Sequence, residues 1–101
     1  MANLEHGQGT LHLNDGGQSW AVTYRIQTHP GVTGTLGLQG SAAVVSLQHH
    51  VSDPNNFFLL NLSDGRWVHL HIKDIRRDEC DIAEGAYIVP PPQWAANGAS
   101  W

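Results

Sequence analysis

The chain has 101 residues, the size of one small domain, so its stability depends on a single compact core. Five Lys and Arg against nine Asp and Glu give a formal charge of −4. This balance argues against a general nucleic-acid binder, because that affinity comes mostly from cationic neutralisation of phosphates. Charged residues make up 14% of the chain, against a usual ~25%. A surface with so few charges is easily buried against a partner.

The cysteine content and the N-terminus indicate a cellular location. The single cysteine, Cys80, has no internal disulfide partner, and the segment Met1–Gly7 lacks the basic and apolar parts of a secretion signal. No apolar run approaches the roughly 18 residues of a membrane-spanning helix. We therefore expect a cytoplasmic protein without a membrane anchor.

The first predicted element is a hairpin near the N-terminus. Apolar residues alternate with polar ones around Leu11 and Leu13, and again from Trp20 to Ile26. The turn residues at 14–17 separate the two runs. Alternation of this kind is typical of strands with one buried face, so both runs are predicted to face the core.

The next two predicted strands are Val32–Leu38 and Ala43–Leu47, joined by a turn at Gly40-Ser41. Gly34 and Gly37 within the first of them indicate a sharp bend or the close approach of another backbone. We find no stretch of the chain with a convincing helical period.

The clearest hairpin signal lies in the segment 57–72. Two apolar runs flank Asp64-Gly65, and Asp-Gly is a strong hairpin signal because glycine takes the positive φ of a tight turn. The number of residues in the loop decides which side chains of the two strands share a face. A loop with an even residue count and a three-residue loop, 63–65, shift the register by one residue relative to each other, which exchanges the partners between the two faces. We favour the three-residue loop, because one face then becomes uniformly apolar, with Phe58, Leu60, Leu62, Val68, Leu70 and Ile72.

The sequence of the C-terminal third of the chain predicts one further strand and a C-terminal arm. We interpret 73–84 as the end of a strand followed by a loop, with a short helix as the alternative, and 86–89 as a short seventh strand. The chain then divides into a β domain, residues 1–89, and a Pro-rich C-terminal arm, residues 90–101. The arm either docks on a surface or is a disordered tail.

These elements predict an all-β fold, a small antiparallel β-barrel or sandwich of about six or seven strands, of the size of SH3, Sm or OB domains. The segments 32–36 and 68–75 resemble the bent strand and the closing strand of Sm-like barrels. The resemblance covers about half of the chain and implies a barrel shape. It also implies nucleic-acid binding, which remains a second alternative function and which the acidic charge argues against.

The second face of the 57–72 hairpin carries large apolar and imidazole groups. A strand that is apolar on both sides is covered on both sides, by the arm, by the segment 73–84 or by another chain. Our leading hypothesis is a non-enzymatic binding or assembly module without a cofactor. Its partner would be a second copy of the chain, in a homodimer or higher oligomer, or another protein. The predicted binding residues are Phe57, Leu59, Trp67, His69, His71, Trp94 and Trp101.

A histidine-based site is the alternative from another functional class. His69 and His71 occupy alternate strand positions, roughly 7 Å apart at Cα, and so project from the same side. With His49 or His50 as a third ligand they would hold zinc or iron, in a metal-binding or small-ligand-binding protein, enzymes included. The seven histidines also predict an assembly that changes with pH, because their protonation reverses the net charge near pH 6.

Overall fold

Antiparallel strands account for most of the computed structural model, which describes residues 4–28, 31–53 and 55–98. Within these ranges the elements are, in chain order, β1 (Leu4–Leu13), β2 (Ser19–Gln27), β3 (Val32–Leu38), α1 (Ser41–Val51), β4 (Phe58–Asn61), β5 (Trp67–Leu70), β6 (Ile72–Arg76), β7 (Glu79–Val89) and α2 (Gln93–Gly98). The predicted all-β class is confirmed.

The strands form one curled sheet in the order β3-β2-β1-β4-β5-β7-β6. β3, at one end of this order, also pairs with β7, so the two sides of the sheet meet and enclose a small barrel-like interior. Each pairing in the described sheet is antiparallel. The predicted small antiparallel barrel is therefore the observed architecture.

The interior is filled by the alternate residues that the sequence pattern indicates. In β2, the residues Trp20, Val22, Tyr24 and Ile26 are buried, while the residues between them are exposed. Fully buried side chains from the other elements join them in one hydrophobic cluster, among them Leu11, Leu36, Leu47, Leu60, Val68, Leu70 and Cys80. Each buried aliphatic side chain stabilises the fold by about 1.5–3 kcal/mol relative to exposure, so this cluster is the main source of stability.

The β4–β5 hairpin has the favoured three-residue loop, 63–65. The Leu62 N–H donates to Arg66 O at 2.8 Å, and the Gly65 N–H donates to Leu62 O at 3.0 Å. Gly65 has a φ of 97°, the left-handed conformation that glycine adopts without strain. The resulting register pairs core residues across the strands, Phe58 with Leu70 and Leu60 with Val68.

Side chains from β1 and β2 anchor this loop to the barrel. The Tyr24 hydroxyl lies 2.9 Å from Ser63 Oγ and accepts a hydrogen bond from the Ser63 N–H at 3.2 Å. Arg66 forms ion pairs with Glu5 of β1 and with Asp64 of the loop. The loop is thus fixed to strands that are distant from it in sequence.

The predicted fourth strand, 43–47, is wrong, because this segment belongs to α1. The residues that contact the core are Ala43, Val44, Leu47 and Val51, a spacing of three to four residues that is typical of a helix. Leu47 is fully buried, and α1 lies against β6. The two adjacent valines favour a strand locally, but burial of this face against the barrel outweighs that small preference.

The loop predicted in 73–84 is also wrong, as is the alternative helix. β6 ends at Arg76, and β7 begins at Glu79 and continues without interruption to Val89, so the segment is a further hairpin. β5 and β6 both pair with β7 and are separated only at His71, whose carbonyl accepts from the Ala83 N–H at 2.8 Å. The predicted short strand 86–89 is the end of this long β7.

Candidate functional site

The predicted binding residues of the β4–β5 hairpin lie together on the outer face of the barrel. Their strand neighbours face the core, so side chains at the intervening positions point outward. In the sheet register, Leu59 pairs with His69 on one side and with His12 of β1 on the other. We call the outward-facing group the outer aromatic patch, consisting of His12, Phe57, Leu59, Trp67, His69, His71 and Trp94.

One end of the outer aromatic patch is a cluster of three rings. The rings of Phe57 and His69 are stacked, with centroids 4.5 Å apart and an interplanar angle of 27°. His71 lies edge-on to both, with centroids 5.5 Å from His69 and 6.4 Å from Phe57. Stacked and edge-on arrangements at these distances are the favourable ones for aromatic rings, so the three side chains hold one another in place.

The other end of the patch is covered by the arm. The Trp94 ring of α2 contacts Trp67 at 5.7 Å with perpendicular planes, and both indoles contact His12, at 5.1 and 5.2 Å. The Trp94 Nε1–H donates to Asn14 O at 3.2 Å. A Cβ on Gly16 would lie 2.6 Å from the Trp94 ring, so the indole sits directly against this turn. The arm therefore folds back onto its own barrel at Trp94.

Burial of Leu59 shows that β4 is covered on both faces, as its sequence predicts. Leu59 is 6% exposed although it is not part of the hydrophobic cluster inside the barrel. Phe57, Trp67, His69 and His71 are half-buried, and so is Trp94. The chain thus covers part of its outer face and leaves the ring cluster partly open to solvent.

His12 is a member of the patch that the sequence interpretation missed. Its outward direction follows from the buried Leu11 and Leu13 on either side. The sequence offers no signal that β1 pairs with β4, because this pairing joins segments about half a chain apart. Trp101, the other predicted arm residue, lies outside the described residues.

The environment of the patch lowers the pKa of two of its histidines, His12 and His69. Burial lowers the pKa of His12 below its usual value of 6.5. Burial also lowers the pKa of His69, and the neighbouring His71 lowers it further by charge repulsion. The lowered pKa values of these two histidines favour their neutral forms at neutral pH.

The histidines proposed as additional metal ligands lie on α1. His50 contacts the Trp20 ring, with centroids 5.7 Å apart, and His49 is exposed. Among residues 4–28, 31–53 and 55–98, no group of three or more His, Cys, Asp or Glu side chains is close enough to hold a metal ion. The structure therefore brings His69 and His71 together without a third ligand from the described part of the same chain.

A polar groove of about 480 Å³ lies elsewhere on the outer surface, across β1, β2, β3 and β7. Its lining includes His6, Thr23, Arg25, Thr35 and Glu79. The groove carries an arginine and a glutamate, so it has no preference for one sign of ligand charge. It is separate from the predicted binding residues.

Comparisons with known proteins identify no match to this chain. Within the described residues, no helix is long and apolar enough to cross a membrane. No protein-family model, curated protein or solved structure matches the chain.

Proposed function

We propose that this chain is a non-enzymatic binding module that assembles with a second copy of itself through the outer aromatic patch. The observation that supports the proposal is the half-buried ring cluster of Phe57, His69 and His71 on the outside of the barrel. Aromatic side chains that remain partly exposed on an outer sheet face are typical of the surfaces that bind other proteins.

The charge distribution favours a second copy as the partner. None of the seven patch residues is Asp, Glu, Lys or Arg, whereas the whole chain has a formal charge of −4. Two copies with the same net charge repel each other, and contact through a face without Asp or Glu limits this repulsion. Depletion of charged residues and enrichment of aromatic ones are typical of the centre of protein interfaces. Two-fold symmetric dimers are also the commonest soluble oligomers.

Analytical ultracentrifugation of the tag-free protein in EDTA tests this proposal. We expect a species of twice the 11.0 kDa chain mass that dissociates on dilution. Phe57→Ala removes a ring from the partly open end of the patch and is expected to weaken the dimer at least tenfold. Val45→Ala is the matched control, because Val45 is 56% exposed on α1 and does not belong to the patch.

Two outcomes would contradict the proposal. A monomer at all concentrations would exclude self-association, and an equal effect of Phe57→Ala and Val45→Ala would exclude this face as the interface. The same measurement at pH 5.5 and pH 8 tests the predicted pH dependence. Protonation places positive charge on imidazoles that face each other across the dimer axis, so we expect weaker association at pH 5.5.

A further inference from the structure

We propose that His69 and His71 form one half of a zinc site, and that a second copy of the chain supplies the other half. The inference rests on the proposed self-association through the outer aromatic patch. It adds a ligand, a divalent transition metal with tetrahedral coordination by four imidazoles, two from each copy. The site is incomplete in one copy.

The spacing of the two rings fits a shared metal ion. Zn–N bonds of about 2.0–2.1 Å and a tetrahedral angle place two ligating imidazole centroids about 5 Å apart. The observed centroids of His69 and His71 are 5.5 Å apart, with an angle of 75° between the ring planes. Both residues project from the outer face at alternate positions, so chelation needs only a small ring movement.

The hydrogen bond of His71 fixes a tautomer that is suited to metal binding. His71 Nδ1 lies 3.2 Å from Asn56 O, and a carbonyl oxygen only accepts, so Nδ1 carries the proton. In this tautomer the lone pair of Nε2 is available to a metal ion. Metal-ligating histidines commonly donate their second N–H to a backbone carbonyl in this way.

Asn56 is itself held in place, which makes its carbonyl a fixed acceptor. Its backbone N–H donates to Asp53 O at 3.1 Å, and its side-chain Nδ2 donates to His50 O at 2.9 Å. The loop after α1 therefore orients the ring of His71. On the other ring, stacking against Phe57 at 4.5 Å restricts the orientation of His69.

Two features explain why the remaining ligands come from a second copy. The described part of one chain supplies no third His, Cys, Asp or Glu close enough to share the ion. A two-fold axis through the His69–His71 end of the patch brings two equivalent pairs together, which gives the four ligands of a closed tetrahedral site. Trp94 lies at the Trp67 end of the strand, away from this pair along β5.

The test uses full-length, tag-free protein stripped of metal with EDTA and then dialysed. Addition of ZnCl2 is expected to tighten the dimer at least tenfold in analytical ultracentrifugation, with one zinc per two chains by elemental analysis. Mg²⁺ at the same concentration is expected to have no effect, because it prefers oxygen ligands. Replacement of zinc by Co²⁺ is expected to give the visible absorption of a tetrahedral complex.

Histidine variants assign the ligands. His69→Gln and His71→Gln are expected to lose the zinc response, while His6→Gln and His49→Gln, exposed on β1 and α1, retain it. Circular dichroism establishes that each variant is folded. The Co²⁺ spectrum of the unmutated protein tests the site even if a ligand variant fails to fold.

The outcomes distinguish this inference from the proposed function. A dimer in EDTA that is unaffected by zinc overturns the zinc site and leaves self-association in place. Binding of one zinc ion per chain also overturns the shared site. A monomer with and without zinc overturns both. A dimer that is present in EDTA and tightens with zinc, at one ion per two chains, supports both the shared site and the proposed function. A dimer that forms only with zinc, at the same ratio, supports the shared site and overturns the metal-free dimer.

Discussion

Gly34 and Gly65 both have positive φ, but their surroundings differ. Gly34 of β3 has a φ of 139°, and a Cβ there would clash with the Arg25 carbonyl oxygen and lie 2.8 Å from the Ile26 Cα. Gly65 has a φ of 97°, and a Cβ at that position would meet no atom within 4 Å. Position 34 requires glycine because the backbone of β2 lies too close for a Cβ atom. Position 65 requires glycine only because of the positive φ of the turn.

Substitution of Gly34 by alanine is therefore expected to be much more damaging than the same change at Gly65. Gly65→Ala introduces left-handed strain of about 1–2 kcal/mol. Gly34→Ala adds a clash with backbone that cannot move without separating β2 from β3, and is expected to cost more than about 3 kcal/mol. Urea unfolding monitored by tryptophan fluorescence measures both. Equal losses would show that β2 and β3 are not in close contact at Gly34.

Cys80 is expected to be inert in the folded protein. Its side chain is fully buried, and burial, with smaller contributions from Asp81 and Glu79, raises the pKa of the thiol to about 12. The reactive thiolate is therefore nearly absent at pH 8. Ellman's reagent should react slowly in native buffer and rapidly in 8 M urea, whereas fast reaction of the native protein would contradict this burial.

The candidate site was predictable at the level of individual residues on one hairpin. Alternation and the Asp-Gly turn place Phe57, Leu59, Trp67, His69 and His71 on one face, and the structure shows this face. His12 was not predictable, because its membership depends on the pairing of β1 with β4. Local pattern determines which way a side chain points, but it does not determine what lies beside it.

Two elements depend on tertiary contacts more than on local sequence. The first is α1, which begins after Gly40 without a side-chain cap and contains adjacent valines. Such a short helix is marginal in isolation, so its stability comes from docking of its apolar side on the barrel.

We therefore expect the stability of the fold to be sensitive to the inner side of α1. Leu47→Ala removes a fully buried side chain and is expected to cost about 2–5 kcal/mol. Val45→Ala, on the exposed side of the same helix, is expected to change stability by less than about 0.5 kcal/mol. Chemical denaturation compares the two variants, and a small effect of Leu47→Ala would mean that α1 is not docked.

The second element is the arm, whose position depends on the turn between β1 and β2. Gly16→Ala would place a methyl group 2.6 Å from the Trp94 ring, so we expect it to displace α2 from Trp67. The readout is chymotrypsin cleavage after Trp94, which should accelerate. Gly17→Ala is the control, because its Cβ would meet only the Asp15 side chain. Unchanged cleavage in folded Gly16→Ala protein would contradict the docked position of Trp94.

At the scale of the whole molecule, the half-buried imidazole of His12 links stability to pH. Its pKa is lowered in the folded chain, so the unfolded chain takes up a proton more readily as the pH falls below about 6.5. The free energy of unfolding is therefore higher above about pH 6.5, where the ring is neutral in both states, and it decreases as the pH falls below that value. We expect a lower urea midpoint at pH 5.5 than at pH 7.5, measured in EDTA at low protein concentration. His12→Gln should make this dependence shallower without removing it, because the pKa of His69 is also lowered in the folded chain. An equally steep loss in that variant would exclude His12 as a source.

By itself, the sequence determined the all-β class, the β1–β2 and β4–β5 hairpins, the register at the Asp-Gly turn and the apolar character of both faces of β4. These properties follow from alternation and turn chemistry, which act over a few neighbouring residues. The tertiary structure alone decided that 41–51 is a helix, that 72–89 is a hairpin closing the barrel, and that Trp94 rests on Trp67 and His12. These features arise from contacts between distant segments, where burial of apolar area outweighs local preferences of a few tenths of a kcal/mol per residue.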